Sequence, residues 1–577
     1  MLRKFHAFVL IAVLLFNAVK GQGFLKAKDK IIVDEQGKEV ILRGMGLGGW
    51  MLQEGYMFRL GNIGQQYRIK EKIRELVGPE KTEELYNDWL NNHTTRRDID
   101  SLAAWGFNSV RLPMHFNLYT LPVADEPTPG QNTWLEKGFA LTDSLLGWCK
   151  ANKIYLILDL HAAPGGQGND LPISDRHPDQ PSLWESEANR SKTIALWRKL
   201  AERYANEPWI GGYDIINEPN WGFEDKEDTR GTKETQNKPL KQLMQDITAA
   251  IREVDKKHII IIEGNGFGNN YRGIMPPWDD NMVLSFHKYG NFTTIPTIRQ
   301  FLDLRETYNV PIWLGESGEN SNTWFTNTIS MAEEQHIGWA WWQLKKMGIN
   351  NPLEIKNAPG YQAILDYWSG KAPAPSAEEA YRSLKEFVNN TRIENNIYHP
   401  DVTDAMFRQV RSAEAIPFKT HWIEDRSLIK AVDYDLGRNL SAYADADTAS
   451  YHYTPGVNTQ GNRGYAYRND GVDIRKEGED YYVFQVEDNE WLQYTLNAGK
   501  GGTFDLQFTM AADGENRSPK FDVLDNDKVI AAGVAVPGQG WQTIPVRNLK
   551  FTKGLHRLKI VFTSGGCRFK DILVSKP

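Results

Sequence analysis

The chain has 577 residues, 41% hydrophobic and 24% charged, with a formal net charge of −7. That length exceeds one ordinary domain, the composition is that of a globular protein, and the slight acidity argues against a nucleic-acid partner. Two cysteines, Cys149 and Cys567, exclude a disulfide framework and a cysteine-based metal site.

Residues 1–22 begin with Arg3 and Lys4, continue through an apolar stretch too short to span a bilayer, and end in small residues near Ala18 and Gly21. This pattern predicts a signal peptide, hence a secreted or periplasmic protein with no membrane segment in its mature form.

From residue 40 to about 345 one pattern recurs: a short apolar run, then an amphipathic stretch. The runs are VILRGMGL (40–47), FNSVRLPM (107–114), IYLILDLH (154–161), IGGYDIINEP (210–219), IIIIEG (259–264), MVLSFHKY (282–289), VPIWLGESG (310–318) and IGWAWWQLK (337–345). Continuous apolar runs mean strands buried on both faces, and alternation with helices means a parallel sheet. Eight such units predict an α/β fold, a (β/α)8 barrel over residues 23–391 closed by a helix over 376–390, where Ser376 precedes Glu378 and Glu379. The Gly-rich EGNGFGNN (263–270) reads as a turn, since it does not follow the first strand as a phosphate loop would. Residues 392–425 read as a connector. After residue 426 short alternating runs such as WLQYTL and HRLKIVFT, separated by Gly, Asn and Asp, predict an all-β sandwich over 426–577.

Active sites of parallel barrels form at the C-terminal strand ends. There the sequence places Arg111, Asp159 and His161, Asn217 and Glu218, His287 and Tyr289, Glu316, and the Trp339–Trp342 segment. One strand-end carboxylate is unremarkable, but polar groups from several strands at one level are costly to desolvate without a purpose. Two carboxylates suit glycosidic bond cleavage, one as proton donor and the other as nucleophile or base, with about 5–5.5 Å between them for retention and more for inversion. In that scheme Arg111 could hold Glu316 ionised, Tyr289 could donate to the same carboxylate, and His287 could orient Glu218. Asn217 could hold a sugar 2-hydroxyl, and Trp342 could serve as a stacking floor. His161, His287 and the two glutamates could in principle ligate zinc, but no HExxH spacing occurs and no metal or other cofactor is expected. A serine triad lacks its GxSxG. With 19 Trp and 23 Tyr, the chain has either aromatic platforms for a sugar or a large aromatic core.

These motifs, NEP with Glu218, GES with Glu316, SVRLPMH with Arg111, DLHAAPGG with His161 and FHKYG with His287 and Tyr289, resemble glycoside hydrolase family 5 over about residues 30–390. The resemblance implies a retaining enzyme with Glu218 as acid/base and Glu316 as nucleophile. The start LRGMGLGGWMLQEGYM together with HAAPGGQ is similar to the branch containing exo-acting β-1,3-glucanases, which implies a β-glucan (β-1,3-, β-1,6- or β-1,4-linked) and makes Glu54 a candidate sugar contact. The same family includes mannanases, xyloglucanases and glycolipid hydrolases. YAYRNDGVDI, NEWLQYTL and GQGWQTIPV resemble carbohydrate-binding module family 6. Against that family's pattern, Gln485 and Arg568 stand where an aromatic and an asparagine usually bind ligand. Lys430, Val432 and Lys570 replace its calcium-holding acids, while Trp541 is a candidate stacking platform, and the favoured expectation is a domain that packs against the barrel or extends its cleft. The expectation is a monomeric β-glycosidase whose partner is an oligo- or polysaccharide. The alternative is a non-catalytic polysaccharide-binding protein.

Overall fold

The computed structural model describes residues 23–449, 461–514 and 518–577. The expected signal peptide, 1–22, lies outside them. Among the described residues no helix is long and apolar enough to cross a membrane.

Eight parallel strands close into a barrel: β1 (Arg43–Gly46), β2 (Ser109–His115), β3 (Tyr155–Ala162), β4 (Ile210–Asp214), β5 (Ile260–Glu263), β6 (Met282–Lys288), β7 (Ile312–Gly318) and β8 (Gly338–Trp342). They run in sequence order, and β8 pairs with β1. Each lies within one of the eight predicted runs or overlaps it by all but a residue. Every residue of β2, β3, β6 and β7 is buried, as strands covered by helices outside and side chains inside must be.

The covering helices follow from amphipathic periodicity. They are α1 (Arg96–Trp105), α2 (Glu136–Ala151), α3 (Glu187–Tyr204), α4 (Lys238–Val254), α5 (Arg299–Tyr308), α6 (Asn322–Glu334) and α7 (Ala377–Asn389). In α4 the buried face comprises Leu240, Leu243, Met244, Ile247 and Ile251, at the spacing that predicted it. Ser376 caps α7 in a reciprocal capping box with Glu379.

Register sets the height of the polar groups. Asp159 of β3 lies opposite Asp214 of β4, and His287 of β6 lies opposite Glu316 of β7. The insertion after β1 contains the helices Gln66–Val77 and Pro79–Asn92 and a turn at Gly55–Phe58. That turn is tied to the segment after β8: the Met347 amide donates to the Met57 carbonyl at 3.0 Å, and the Tyr361 hydroxyl to the Phe58 carbonyl at 2.9 Å. Both segments therefore build one side of the barrel mouth.

Residues 392–425 are ordered by packing. Ile397–Tyr398 pairs with Leu353–Glu354, and α8 (Pro400–Met406) packs on α6, with Thr326 donating to the Ala405 carbonyl at 2.8 Å. His421–Trp422 already pairs with a sandwich strand, Trp491–Ala498. The C-terminal region forms two facing sheets. One runs in the order 421–422, 491–498, 554–564, 520–525, 528–535, and the other 474–477, 480–483, 567–575, 502–512, 542–551. Their inner faces bury Leu492, Tyr494, Leu506, Phe508, Phe521, Ile560, Phe569 and Ile572 among others. Cys149 and Cys567 are free and buried, one in α2 and one in the sandwich.

Between barrel and sandwich runs a polar seam. Asn322, the first residue of α6, donates its side-chain amide to Asp401 at 2.8 Å and to Asp470 at 3.0 Å, and its backbone N–H to the Asn469 carbonyl at 3.0 Å. Asn469 donates to the Asn320 carbonyl at 2.8 Å and to Asn322 Oδ1 at 3.1 Å, and its N–H to Asp401 at 2.8 Å. Ser321 donates to the Ala449 carbonyl. Arg468 grips Asp470 from behind at 2.9 Å and lies 3.6 Å above the Tyr434 ring. All these polar side chains are buried, and nearly all their polar atoms are paired, the exception being Asp401 Oδ1.

Candidate active site

Arg111, on β2, stands at the centre of the barrel and is 1% exposed. Its guanidinium donates to Asp214 at 2.9 Å, Glu316 at 2.8 Å, Asn217 at 2.8 Å and Glu263 at 3.0 Å, and lies 3.2 Å from Asp159. A planar cation with five donors is the side chain able to organise four carboxylates from four strands. Burial alone would disfavour its charge, but Asp159, Asp214, Glu316 and Glu263 outweigh that and fix the cation. Burial pushes the Asp214 carboxyl well above the usual range, with Glu263 adding to the rise and Arg111 opposing it.

Glu316 ends β7 with both oxygens occupied: Arg111 donates to Oε2 and the Tyr289 hydroxyl to Oε1 at 2.7 Å. Burial lifts the Glu316 carboxyl above the ordinary range, while His287 and Arg111 work against the rise. Burial also lifts the Tyr289 phenol well above its usual value, with Glu316 adding to the shift, so it stays a donor.

Glu218 follows β4 in left-handed backbone, φ 43°. Such a conformation is uncommon for a residue with a side chain and recurs at functional sites. It is held by the Glu218 N–H, which donates to Glu263 Oε2 at 2.7 Å, and by the Phe267 N–H, which donates to the next carbonyl, Pro219, at 3.1 Å. His287 Nδ1 meets Glu218 Oε1 at 2.6 Å, and His287 Nε2 lies 3.1 Å from Glu263. Burial opposes charge on His287, but Glu263, Glu316 and Glu218 outweigh it and lift the imidazole well above its ordinary value. Nδ1 is therefore the donor to Glu218. One oxygen atom each of Glu218 and Glu316, and a ring nitrogen of His287, lie within 4.8 Å of one another. That is the carboxylate spacing of double displacement rather than of inversion.

The same three atoms are close enough to approach a cation. Their donor set suits protons better, since Arg111, Tyr289 and His287 already supply N–H or O–H to the carboxylate oxygens and two fixed cations stand beside the site.

His161 Nδ1 bonds Asp159 at 2.7 Å, which leaves Nε2 to accept from Asn217 Nδ2 at 3.3 Å. The His161 ring is parallel to the Trp342 indole within 7° at 5.1 Å, and Trp342 Nε1 donates to the Tyr56 hydroxyl at 2.9 Å. A Cβ at Gly46 or Gly48 would come within 2.7 Å of that indole, so both glycines are needed where the ring lies.

An open cleft of about 440 Å³ covers these groups. Of the predicted residues, Glu54, His161, Glu218, Tyr289, Glu316 and Trp342 line it. Arg111, Asn217 and His287 lie behind that lining, and Asn217 has both ends engaged, to Arg111 and to His161. Glu54 lies 4.0 Å from His161, and burial, then Glu316 and Glu218, lift its carboxyl well above the usual range.

Sequence reasoning missed Glu263, Tyr56, Phe267, Glu319 and Asn320. Glu263 carried the same signal as Glu218 and Glu316, a carboxylate ending an apolar run. The loop after it is more than a turn, since it aims Phe267 into the cleft with the backbone at φ 63°. Glu319 pairs with Lys346 at 2.5 Å on the rim.

In the sandwich, the candidate platform Trp541 already carries a cation: the Arg568 guanidinium lies 5.2 Å from its ring. The Lys570 ammonium pairs with Asp480 at 2.7 Å.

Residues 70–348 match the family described as Cellulase (glycosyl hydrolase family 5), and this match supports a glycoside hydrolase. Residues 468–573 match the carbohydrate binding module of family 35. This corrects the expected family 6 while keeping the broader class. The departures at Gln485, Arg568 and Lys570 accord with the correction. Among curated proteins, the β-xylosidase of Phanerodontia chrysosporium is 27% identical over 378 residues, 59% of this chain and 75% of that protein. Endoglucanase C of Acetivibrio thermocellus is 27% identical over 251 residues, 43% of this chain and 57% of that protein. The probable glucan 1,3-beta-glucosidase A of Aspergillus clavatus is 26% identical over 209 residues, 36% of this chain and 47% of that protein.

Proposed function

We propose that this chain is a retaining β-glycosidase that acts on a β-glucan, with Glu316 as nucleophile and Glu218 as acid/base. The observation that carries the reading is the approach of the two carboxylates within 4.8 Å across the barrel mouth, each in a different setting. Glu316, with donors on both oxygens, is prepared to be an anion. Glu218, tied through one oxygen to His287, is placed to pass a proton.

In the first step a Glu316 oxygen forms a bond to the anomeric carbon as the glycosidic C–O bond breaks, and the Glu218 proton goes to the leaving oxygen. In the second, Glu218 takes a proton from water, the water oxygen bonds to the anomeric carbon, and Glu316 leaves as the carboxylate. Arg111 and Tyr289 stabilise the carboxylate that departs. The glucan reading is supported by the endoglucanase and glucan glucosidase relatives, and a β-xyloside is the second candidate because the β-xylosidase matches over the greater length. Export is part of the proposal and rests on residues 1–22.

The deciding experiment incubates the full chain with aryl β-glucosides, aryl β-xylosides and linear and branched β-glucan oligosaccharides, and follows the products by proton NMR from the first minute. The β-anomer is expected to appear first. An α-anomer at the outset would overturn double displacement. Polysaccharide retention without hydrolysis of any member would favour a binding protein.

The pH profile is a second expectation. Because burial raises Glu316, kcat/KM should fall as pH drops through a value above the ordinary carboxylate range. Tyr289→Phe removes a bond to the charged form of Glu316. It should therefore move the acid limb to still higher pH, and an unmoved limb would assign that limb to another group.

A further inference from the structure

The β7–α6 loop connects the nucleophile to the polar seam within a few residues. Glu319 and Asn320 line the cleft, while the next two residues, Ser321 and Asn322, begin α6 and are buried against the sandwich. Gly318, at φ 144°, packs against β8 so closely that a Cβ there would lie 2.2 Å from the Trp342 carbonyl oxygen, so only glycine fits at this point of the loop. On the loop's outer side Asn469 donates to the Asn320 carbonyl and to the Asn322 side chain, beside the Ser321 bond to the Ala449 carbonyl. The same first turn of α6 also reaches the loop bearing Tyr289: Ser321 Oγ accepts from the Trp324 N–H at 3.2 Å, and the Trp324 indole donates to the Asn291 carbonyl at 2.8 Å.

We propose that Asn469 of the sandwich is a positioning residue of the active site, holding the nucleophile-side rim so that Glu319 and Asn320 face the substrate. This inference rests on the glycosidase reading above. The C-terminal domain then contributes to turnover of substrates too short to touch its own surface, a role separate from polysaccharide capture. The network that does this is buried: Asp401 and Asp470 receive the amide hydrogens of Asn322, and Arg468 with Tyr434 fixes Asp470. Holding reacting groups in register is worth large factors, since a misplacement of about 1 Å costs on the order of a hundredfold.

Asn469→Asp keeps the shape and turns both donations into carboxylate repulsion. Asn469→Ala removes them, and serves if the aspartate variant does not fold. Leu555→Ser, at an exposed position in the same domain, is the control. With an aryl β-monoglycoside, either Asn469 variant should lose about tenfold to a hundredfold in kcat/KM per folded molecule, while the control stays within twofold. Backbone hydrogen exchange over residues 319–325 should quicken in the Asn469 variants and not in the control. A role in stability alone would lower the unfolding midpoint but leave kcat/KM of the folded protein unchanged. Wild-type kcat/KM within twofold, with unchanged exchange, would overturn the proposal. If the wild-type chain hydrolyses no glycoside, the glycosidase reading fails, and the exchange measurement alone still decides whether Asn469 holds the rim.

Discussion

Glu316→Gln should lower kcat on an aryl β-glycoside by about 10⁴-fold or more, in the manner of other covalent nucleophiles, while the protein remains folded. The substitution keeps the side chain's shape, and its amide oxygen can still accept from Arg111 or Tyr289. What disappears is the negative charge and the lone pair that forms the glycosyl–enzyme bond. The fold should tolerate the change because Asp159, Asp214 and Glu263 still surround Arg111. Circular dichroism and the unfolding midpoint separate lost chemistry from lost structure. Turnover within tenfold of wild type in a folded variant would remove Glu316 from the nucleophile's role. Glu218→Gln should lose about 10²- to 10⁴-fold by the same assay, the range of general acid–base catalysis.

The second large effect is on stability. Arg111→Met should destabilise the protein by about 3–5 kcal/mol at neutral pH, because removing one partner of a buried ion cluster leaves the others uncompensated. Asp159, Asp214, Glu263 and Glu316 all lie within 3.2 Å of the guanidinium and are almost fully buried. Without it the Asp214 and Glu316 carboxyls, already raised by burial, rise further, and Glu263 loses one of the partners that lower it, so the folded form binds protons more readily. The variant's deficit should therefore shrink as pH falls. Urea midpoints at pH 7 and pH 5 check both claims. A deficit that is small at pH 7, or that grows toward pH 5, would contradict the charge account.

The barrel was legible because its strands are continuous apolar runs, such as IYLILDLH, that no surface element tolerates. The ends of those runs then located Arg111, His161, Glu218, His287 and Glu316. The contacts expected of Arg111, Tyr289 and His287 are present at 2.6–2.8 Å. Less legible was what depends on side-chain depth. Asn217 ends a strand as Glu218 does, yet one residue's rotation puts it behind the cleft lining and the other inside it. Glu263 ends its apolar run directly ahead of a glycine-rich loop, which masks the same strand-end signal, although its carboxylate receives the Glu218 amide. The seam could not be read at all. Asn320, Asn322, Asp401 and Asn469 are ordinary loop and helix-end residues, and only the approach of segments some 150 residues apart makes them partners.

That seam is made of amides and carboxylates, and this has a bearing on how freely the two halves could be exchanged. A greasy contact accepts any greasy neighbour of about the right shape, whereas paired donors and acceptors accept only their complements. Grafting this sandwich onto another barrel, or another sandwich onto this barrel, would bury unmatched polar groups unless Asn322, Asp401, Asn469 and Asp470 travelled together. A chain cut ahead of the sandwich would, in contrast, give those groups back to water and could stay in solution, so solubility of the shortened form would not vouch for its competence.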